Sequence, residues 1–272
     1  MKLDLHIHTT ASDGAWSPEA VVRGAAKGGL DVIAVADHDT TAAFKTASAV
    51  GAEVRVQVIP ALEVSSTHNG RDIHVLGYFV DPESSAMITH GTRARGRRDE
   101  RMREMVERLN AGEIEITFEQ VEAEAGPDRV NIGRPHLAKA LVTAGHVKSI
   151  YGAFDTLIGD SSEAFVSTQL LTPVGAVELI LEGNGIPIWA HPPGDLVDSL
   201  IPELVRAGLR GLEVYRPSHK RHDTLRYEGI CRTSGLLMSG GSDWHTPDAG
   251  SALGDFFVEA AEVEKLLAEG GL

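Results

Sequence analysis

A chain of 272 residues with a single cysteine, Cys231, has no intrachain disulfide and no metal site built of thiolates, and it suits a reducing compartment. Long apolar runs are missing as well. No stretch approaches the ~20 apolar residues of a membrane span, and the opening MKLDLHIHTTASDG lacks the apolar core of a signal peptide, so a cytoplasmic setting with no membrane partner is expected. Positive charge is scarce: 25 Lys and Arg stand against 39 Asp and Glu, a formal net charge of -14. Such a chain is a poor match for duplex nucleic acid, whose binding rests on neutralising many phosphates. There is no internal repeat or low-complexity tract. Gly240-Gly241 does not make a dinucleotide fingerprint, and no Walker-type loop occurs, which excludes the usual nucleotide-cofactor cradles.

What is present is ordinary globular material, 42% hydrophobic and 24% charged, enough for a sizeable core. Short β-rich runs bounded by turn residues predict strands at 3–8, 31–36, 56–62, 73–79, 186–190, 211–215 and 236–240. Helical text lies between them. Ser17 before Pro18 and Glu19 marks a helix start, with Ser17 as the cap. The alternation predicts an α/β fold with a mostly parallel sheet, open or closed into a barrel. Residues 83–172 break the rhythm: 93–110 form a basic helix with Met102, Met105, Val106 and Leu109 at helical spacing, and further helices follow at 119–125 and 134–144. The expected organisation is therefore a barrel from 1–82 and 173–272, with 83–172 a helical insertion.

In LDLHIH the apolar Leu3, Leu5 and Ile7 alternate with Asp4, His6 and His8, so a strand projects both imidazoles from one face. Two neutral nitrogens side by side at a strand end make a metal clamp. Asp13 follows in a Ser-Asp-Gly turn. His38 lies between Asp37 and Asp39 after the second strand, Glu63 ends the third, and His74 sits near the start of the fourth. His191 follows the fifth, and Asp243 and His245 follow the last. Strand ends are where α/β folds build their sites. Six histidines, two aspartates and one glutamate suffice for two or three ions with positions left open. Lone histidines are more often surface or core residues, and His68, His90, His146 and His222 receive no role.

The set resembles the PHP (polymerase and histidinol phosphatase) family of metallophosphoesterases through His6-Ile7-His8 with Asp13, Asp37-His38-Asp39, Glu63, His74, His191-Pro192 and Gly241-Ser242-Asp243-Trp244-His245. The resemblance implies a distorted (β/α)7 barrel and a trinuclear site. On its pattern one ion takes His6, His8, Glu63 and Asp243, a second takes Asp13, His38 and His245, and a third takes Glu63, His74 and His191. Mn, Fe and Zn all suit such mixed sites. With three divalent ions and three ionised carboxylates the local surplus is about +3, which draws phosphate even to an acidic protein. Multimetal clusters also generate a hydroxide nucleophile near neutral pH.

Arg134 and His136 in Gly133-Arg134-Pro135-His136 are the first candidates to hold the rest of an anionic substrate. Arg98 and Arg101 follow, although arginines on a helix are often a solvated face, and His219 in EVYRPSHK is a weaker candidate. The resemblance points to nucleotide-like substrates: a 3',5'-nucleoside bisphosphate first, a short single-stranded oligoribonucleotide degraded from its 5' end, or a cyclic sugar phosphate, with histidinol phosphate a lesser option. C–N hydrolysis of the amidohydrolase type and a non-catalytic metal module are the competing classes. The arginines favour phosphate over the first, and the complete ligand set weighs against the second.

Overall fold

The computed structural model describes residues 1–127, 129–247 and 252–272. Among these, eight strands form one sheet: β1 (Lys2–Ile7), β2 (Val32–Val35), β3 (Gln57–His68), β4 (Arg71–Tyr78), β5 (Ile186–Trp189), β6 (Gly211–Tyr215), β7 (Leu237–Gly240) and β8 (Val258–Glu259). Their order is β7-β6-β5-β4-β3-β2-β1-β8. The expected α/β architecture is present, and each of the predicted strands has its counterpart.

The sheet departs from the parallel pattern at two strands, the short edge strand β8, antiparallel to β1, and β4 in its interior. β4 runs antiparallel to both β3 and β5, whereas β1, β2 and β3 are parallel to one another, as are β5, β6 and β7. The reversal follows from the turn. Asn69 and Gly70, both with positive φ (50° and 80°), make the tight connection that joins β3 to β4 as a hairpin. Hairpin pairing also carries β3 on to His68, so Glu63 lies in mid-strand rather than at the strand end expected from the sequence.

The two ends of the sheet meet. Beyond β7 the chain pairs with the end of β1: Ile7 bridges Trp244, the His8 amide donates to the Trp244 carbonyl at 2.9 Å, and the Trp244 amide donates to the His6 carbonyl at 3.3 Å. Asp4 completes the seam by accepting from the Ser242 amide and hydroxyl at 2.8 and 2.6 Å. The enclosed space is filled by buried residues at alternate positions, Leu3 and Leu5, Val32 and Ala34, Ile59 and Ala61, Leu76 and Tyr78, and Ile186 and Ile188, above Leu266 and Leu267 of α10 (Glu264–Glu269). In β1 the pairing slips between Asp4 and Ile7, a bulge at the point where the histidines leave the strand.

Outside the barrel, α1 (Pro18–Lys27) and α2 (Phe44–Val54) cover Ile33 and Val35, and α7 (Pro173–Glu182), α8 (Val197–Ala207) and α9 (Arg221–Ser234) cover the other side. The Ser17 hydroxyl caps α1 by accepting from the Ala20 amide at 3.2 Å. Between β4 and α7 lie α3 (Ser85–Ala111), α4 (Phe118–Ala125), α5 (Arg134–Thr143) and the short α6 (Ile150–Ala153). They share a separate apolar cluster that includes Met102, Met105, Val106 and Leu109, the stripe read from the sequence.

Gly241 sits at the closure, where an added Cβ would lie 2.4 Å from the His6 nitrogen and 2.5 Å from its Cβ. Both are on the strand itself and have little freedom to move. Gly241→Ala is expected to lower the thermal midpoint by roughly 3–10 °C, the cost of overpacking a closed seam. An unchanged midpoint by calorimetry would show the seam to be loose.

Candidate metal centre

The strand ends and loops on one rim of the barrel bring nine side chains together around Glu63. This glutamate is 1% exposed. Its Oε1 lies 2.9 Å from His74 Nδ1 and 2.9 Å from His191 Nε2. Its Oε2 lies 3.3 Å from His6 Nε2, 3.3 Å from His8 Nε2 and 3.2 Å from His38 Nδ1. His74 reaches this rim because β4 is reversed, which brings an early residue of that strand to the same end as the late residues of the others.

Two more carboxylates flank this centre. Asp243 Oδ1 is 3.4 Å from His6 Nε2 and 3.3 Å from His8 Nε2. Asp13 Oδ1 is 3.4 Å from His245 Nε2 and 3.6 Å from His8 Nδ1, and its Oδ2 is 3.7 Å from His38 Nε2. Three groups thus place ligand atoms within 4.8 Å of one another: His6, His8, Glu63 and Asp243; His8, Asp13, His38 and His245; and His38, Glu63 and His74. The side chains fit divalent cations. Imidazole nitrogens and carboxylate oxygens are borderline to hard donors, and His38 Nδ1 is buried with no hydrogen-bond partner, an orphaned lone pair or proton facing Glu63.

The electrostatics are those of mutually dependent charges. Burial pushes Glu63 upward, but His38, His74 and His6 outweigh it and hold the carboxylate well below its ordinary range. Against the same cost of burial, His38 and His245 hold Asp13 down, and His6 and His8 do so for Asp243. Burial also opposes the charge on His8, yet Asp243 and Glu63 lift it to about 10, whereas burial drives His38 down to about 3. Neighbouring imidazoles on the rim are thus pushed in opposite directions, His8 up and His38 down.

An outer layer fixes these groups. Glu213 accepts from His6 Nδ1 at 2.8 Å and from the His191 amide at 2.7 Å, which turns His6 Nε2 inward and holds a backbone at φ 31°. Asp37 accepts from Ser12 Oγ at 2.6 Å, Thr9 Oγ1 at 2.7 Å and the Thr9 amide at 2.8 Å, bracing the turn that carries Asp13. Arg216 donates to Asp243 Oδ2 at 2.8 Å, behind a residue that also has positive φ, 56°. Sequence reasoning missed Glu213 and Arg216. The available signal was a lone charge inside the otherwise apolar GLEVY strand, followed three positions later by arginine.

A cavity of about 340 Å³ opens beside the cluster, lined by Asp13, His38, His74, Asp243 and His245 together with Arg98, Arg101, Arg134 and Phe154. Arg134 packs on the rings of Phe165 and Phe154, 5.0 and 5.6 Å from the centroids, and pairs with Asp160 at 2.5 Å. Arg101 pairs with Asp72 at 2.9 Å and donates to the Val166 carbonyl at 2.6 Å. Arg98, 4% exposed, is directed to Asp39, Ser65 and the Ile132 carbonyl. His136, pushed down to about 4 by burial, accepts from the Gly133 amide at 3.0 Å, and His219 donates to the Val214 carbonyl at 2.8 Å. Neither His136 nor His219 lines the cavity. Of the four histidines given no role, His90 is buried and bonded to Asp39 at 3.0 Å.

Comparison with known proteins places this geometry in context. The family described as the PHP domain matches residues 4–169. A 3',5'-nucleoside bisphosphate phosphatase of Chromobacterium violaceum is 31% identical over 91% of this chain and 88% of its own length. A 5'-3' exoribonuclease of Haemophilus influenzae is 31% identical over 90% of each chain. A crystal structure from Bifidobacterium adolescentis, described as a metal-dependent phosphoesterase, superposes with a TM-score of 0.87 at 28% identity, covering 98% of this chain and 96% of that one.

Because Asp243 and Glu63 lift His8 to about 10 against burial, it must lose a proton to become a ligand. Uptake of Mn or Zn is expected to release protons, and affinity should rise with pH through the neutral range. Calorimetric titration in buffers of different ionisation enthalpy reads this directly. Heats that do not depend on the buffer would contradict it.

Proposed function

The chain belongs to the PHP domain family and is a metal-dependent phosphoesterase, and from that premise we propose that it hydrolyses a small nucleotide-like ester, preferentially the 3'-phosphate of a 3',5'-nucleoside bisphosphate. The observation that carries this reading is that one cavity is lined both by the histidines and carboxylates of the cluster and by three arginines and a phenylalanine.

In this reading His6, His8, Glu63 and Asp243 hold one ion and Asp13, His38 and His245 a second, while Glu63, His74 and His191, joined through the 2.9 Å approaches of both imidazoles to Glu63 Oε1, hold a third, with Mn, Fe and Zn all compatible with the donors. Such ions supply Lewis acidity toward the phosphoryl oxygens and lower the pKa of a water. The chain's own residues do the rest. Arg101 and Arg134 bind the phosphate that does not react, as charge-assisted donors in that cavity. Phe154 offers a ring face in the same cavity for the base. His136 keeps the Gly133 amide in place and so orients Arg134 at the start of α5.

Residues 83–172 act as an insertion that covers the cavity and restricts it to small or single-stranded substrates. A short oligoribonucleotide is the second reading, favoured by the equal identity to an exoribonuclease. A cytoplasmic setting, with the buried thiol of Cys231 kept reduced, belongs to the same proposal.

Released phosphate, measured with metal-reconstituted protein on a panel of nucleoside bisphosphate, cyclic sugar phosphate, short RNA and histidinol phosphate, is expected to be greatest for the bisphosphate. A strong preference for any other member would overturn the substrate assignment. His8→Ala should lower kcat by at least about 100-fold with the fold retained. Arg134→Ala should raise KM about tenfold or more and change kcat much less. Wild-type KM in that variant would remove Arg134 from the substrate wall.

A further inference from the structure

His38 belongs to two of the three clusters of neighbouring ligand atoms, as do His8 and Glu63, yet its Nδ1 is buried without a hydrogen-bond partner. His6 and His245 each have one ring nitrogen held outside the cluster, at 2.8 Å by Glu213 and at 2.8 Å by the Asp243 carbonyl. His38 has no such partner among the described residues. Its Nδ1 is buried and unbonded, and its Nε2 looks toward Asp13 at 3.7 Å. The orientation of this imidazole therefore depends on where its backbone is put.

That backbone is gripped from the helical segment between β4 and α7. Asn131 Nδ2 donates to the His38 carbonyl at 2.6 Å. The next residue, Asp39, has φ 56°, and its carboxylate accepts from Arg98 Nε at 2.8 Å, His90 Nε2 at 3.0 Å and the Ser65 amide at 2.7 Å. Arg98 also donates to Ser65 Oγ at 2.7 Å and to the Ile132 carbonyl at 3.3 Å, beside Asn131. The Asp39 amide in turn donates to the Glu63 carbonyl at 2.9 Å, so the spacing of His38 and Glu63 is set at the same node.

We propose that Arg98 and Asn131 are positioning residues for the reaction, acting through Asp39 and the His38 carbonyl to hold His38 against Glu63. The inference rests on the metal-centre reading above. It assigns Arg98 a part different from a grip on substrate: a strut between the covering helices and the ligand loop. All three guanidinium nitrogens of Arg98, Nε, Nη1 and Nη2, are engaged, by a carboxylate, a carbonyl and a hydroxyl, which leaves little for a phosphate.

Asn131→Ala removes one hydrogen bond and is the deciding variant, with Arg98→Lys, which keeps the charge but not the fork, beside it. Each is purified, equilibrated with Mn, dialysed and assayed for bound metal per chain, for unfolding temperature and for kcat and KM. The expected result is a folded Asn131→Ala protein that retains less metal than wild type and has kcat lowered about 10- to 100-fold with KM within about threefold. Arg98→Lys should show the same pattern, and Arg210→Gln, at an exposed pair with Glu269, should match wild type. Wild-type metal content and kcat in Asn131→Ala would overturn the proposal. So would a rise in KM at unchanged kcat in Arg98→Lys, which would put Arg98 on the substrate. A wild-type protein that binds no metal or releases no phosphate would instead sink the metal-centre reading itself.

Discussion

One carboxylate organises this molecule. Glu63 is removed from water and meets five imidazoles through its two oxygens, all at 2.9–3.3 Å. An ionised carboxylate buried alone would cost several kcal/mol, so this position is tolerable only because strands from distant parts of the chain deliver positive or polarisable partners to it. His6 and His8 depend on it in the same way, since burial disfavours their charge and the carboxylates restore it. The cluster is thus stable only as a unit, and a cation is the partner that relieves the crowding of its lone pairs.

The reversal of β4 links that centre to the helices that follow it. A chain that leaves an antiparallel strand exits at the end of the barrel away from the site, and it must return for its residues to act there. α3 makes the return. With 27 residues it is about 40 Å long. Its first turns pack near Gly183 below the barrel, where Met87 closes on that glycine, and its middle places Arg98 against the loop after β2. The same helix then directs Arg101 to the cavity wall. α3 and the loop after β2 are therefore joined through a buried ionic contact that would cost about 3–5 kcal/mol to break from one side.

Much of this was legible in the sequence because period-two alternation and strand-end histidines are local signals. LDLHIH, DHD and SDWH each announce their own geometry. Other features were not local. The continuation of β3 past Glu63 depends on pairing with β4, which only the Asn69-Gly70 turn foreshadows. Arg98 reads from the sequence as either a grip on substrate or a charge on a solvated helix face, yet it is buried against Asp39, 59 positions away. Glu213 carries no motif, and its part becomes visible only when His6 and His191 arrive beside it, 207 and 22 positions distant. Contacts between elements decide such residues, and no periodicity within a single element encodes them.

The seam that closes the barrel has a consequence for how the molecule comes into being. Asp4 and Ser242, which lock it, are 238 positions apart, and the histidines of β1 are completed as a cluster only when the stretch after β7 lies down beside them. Pairings of such large separation form late, after the loop entropy between them has been overcome. During synthesis the first strand must wait, with its two imidazoles presented, until almost all the remaining chain has emerged. The cation cluster is then a record of completion: a chain that can hold it has finished folding.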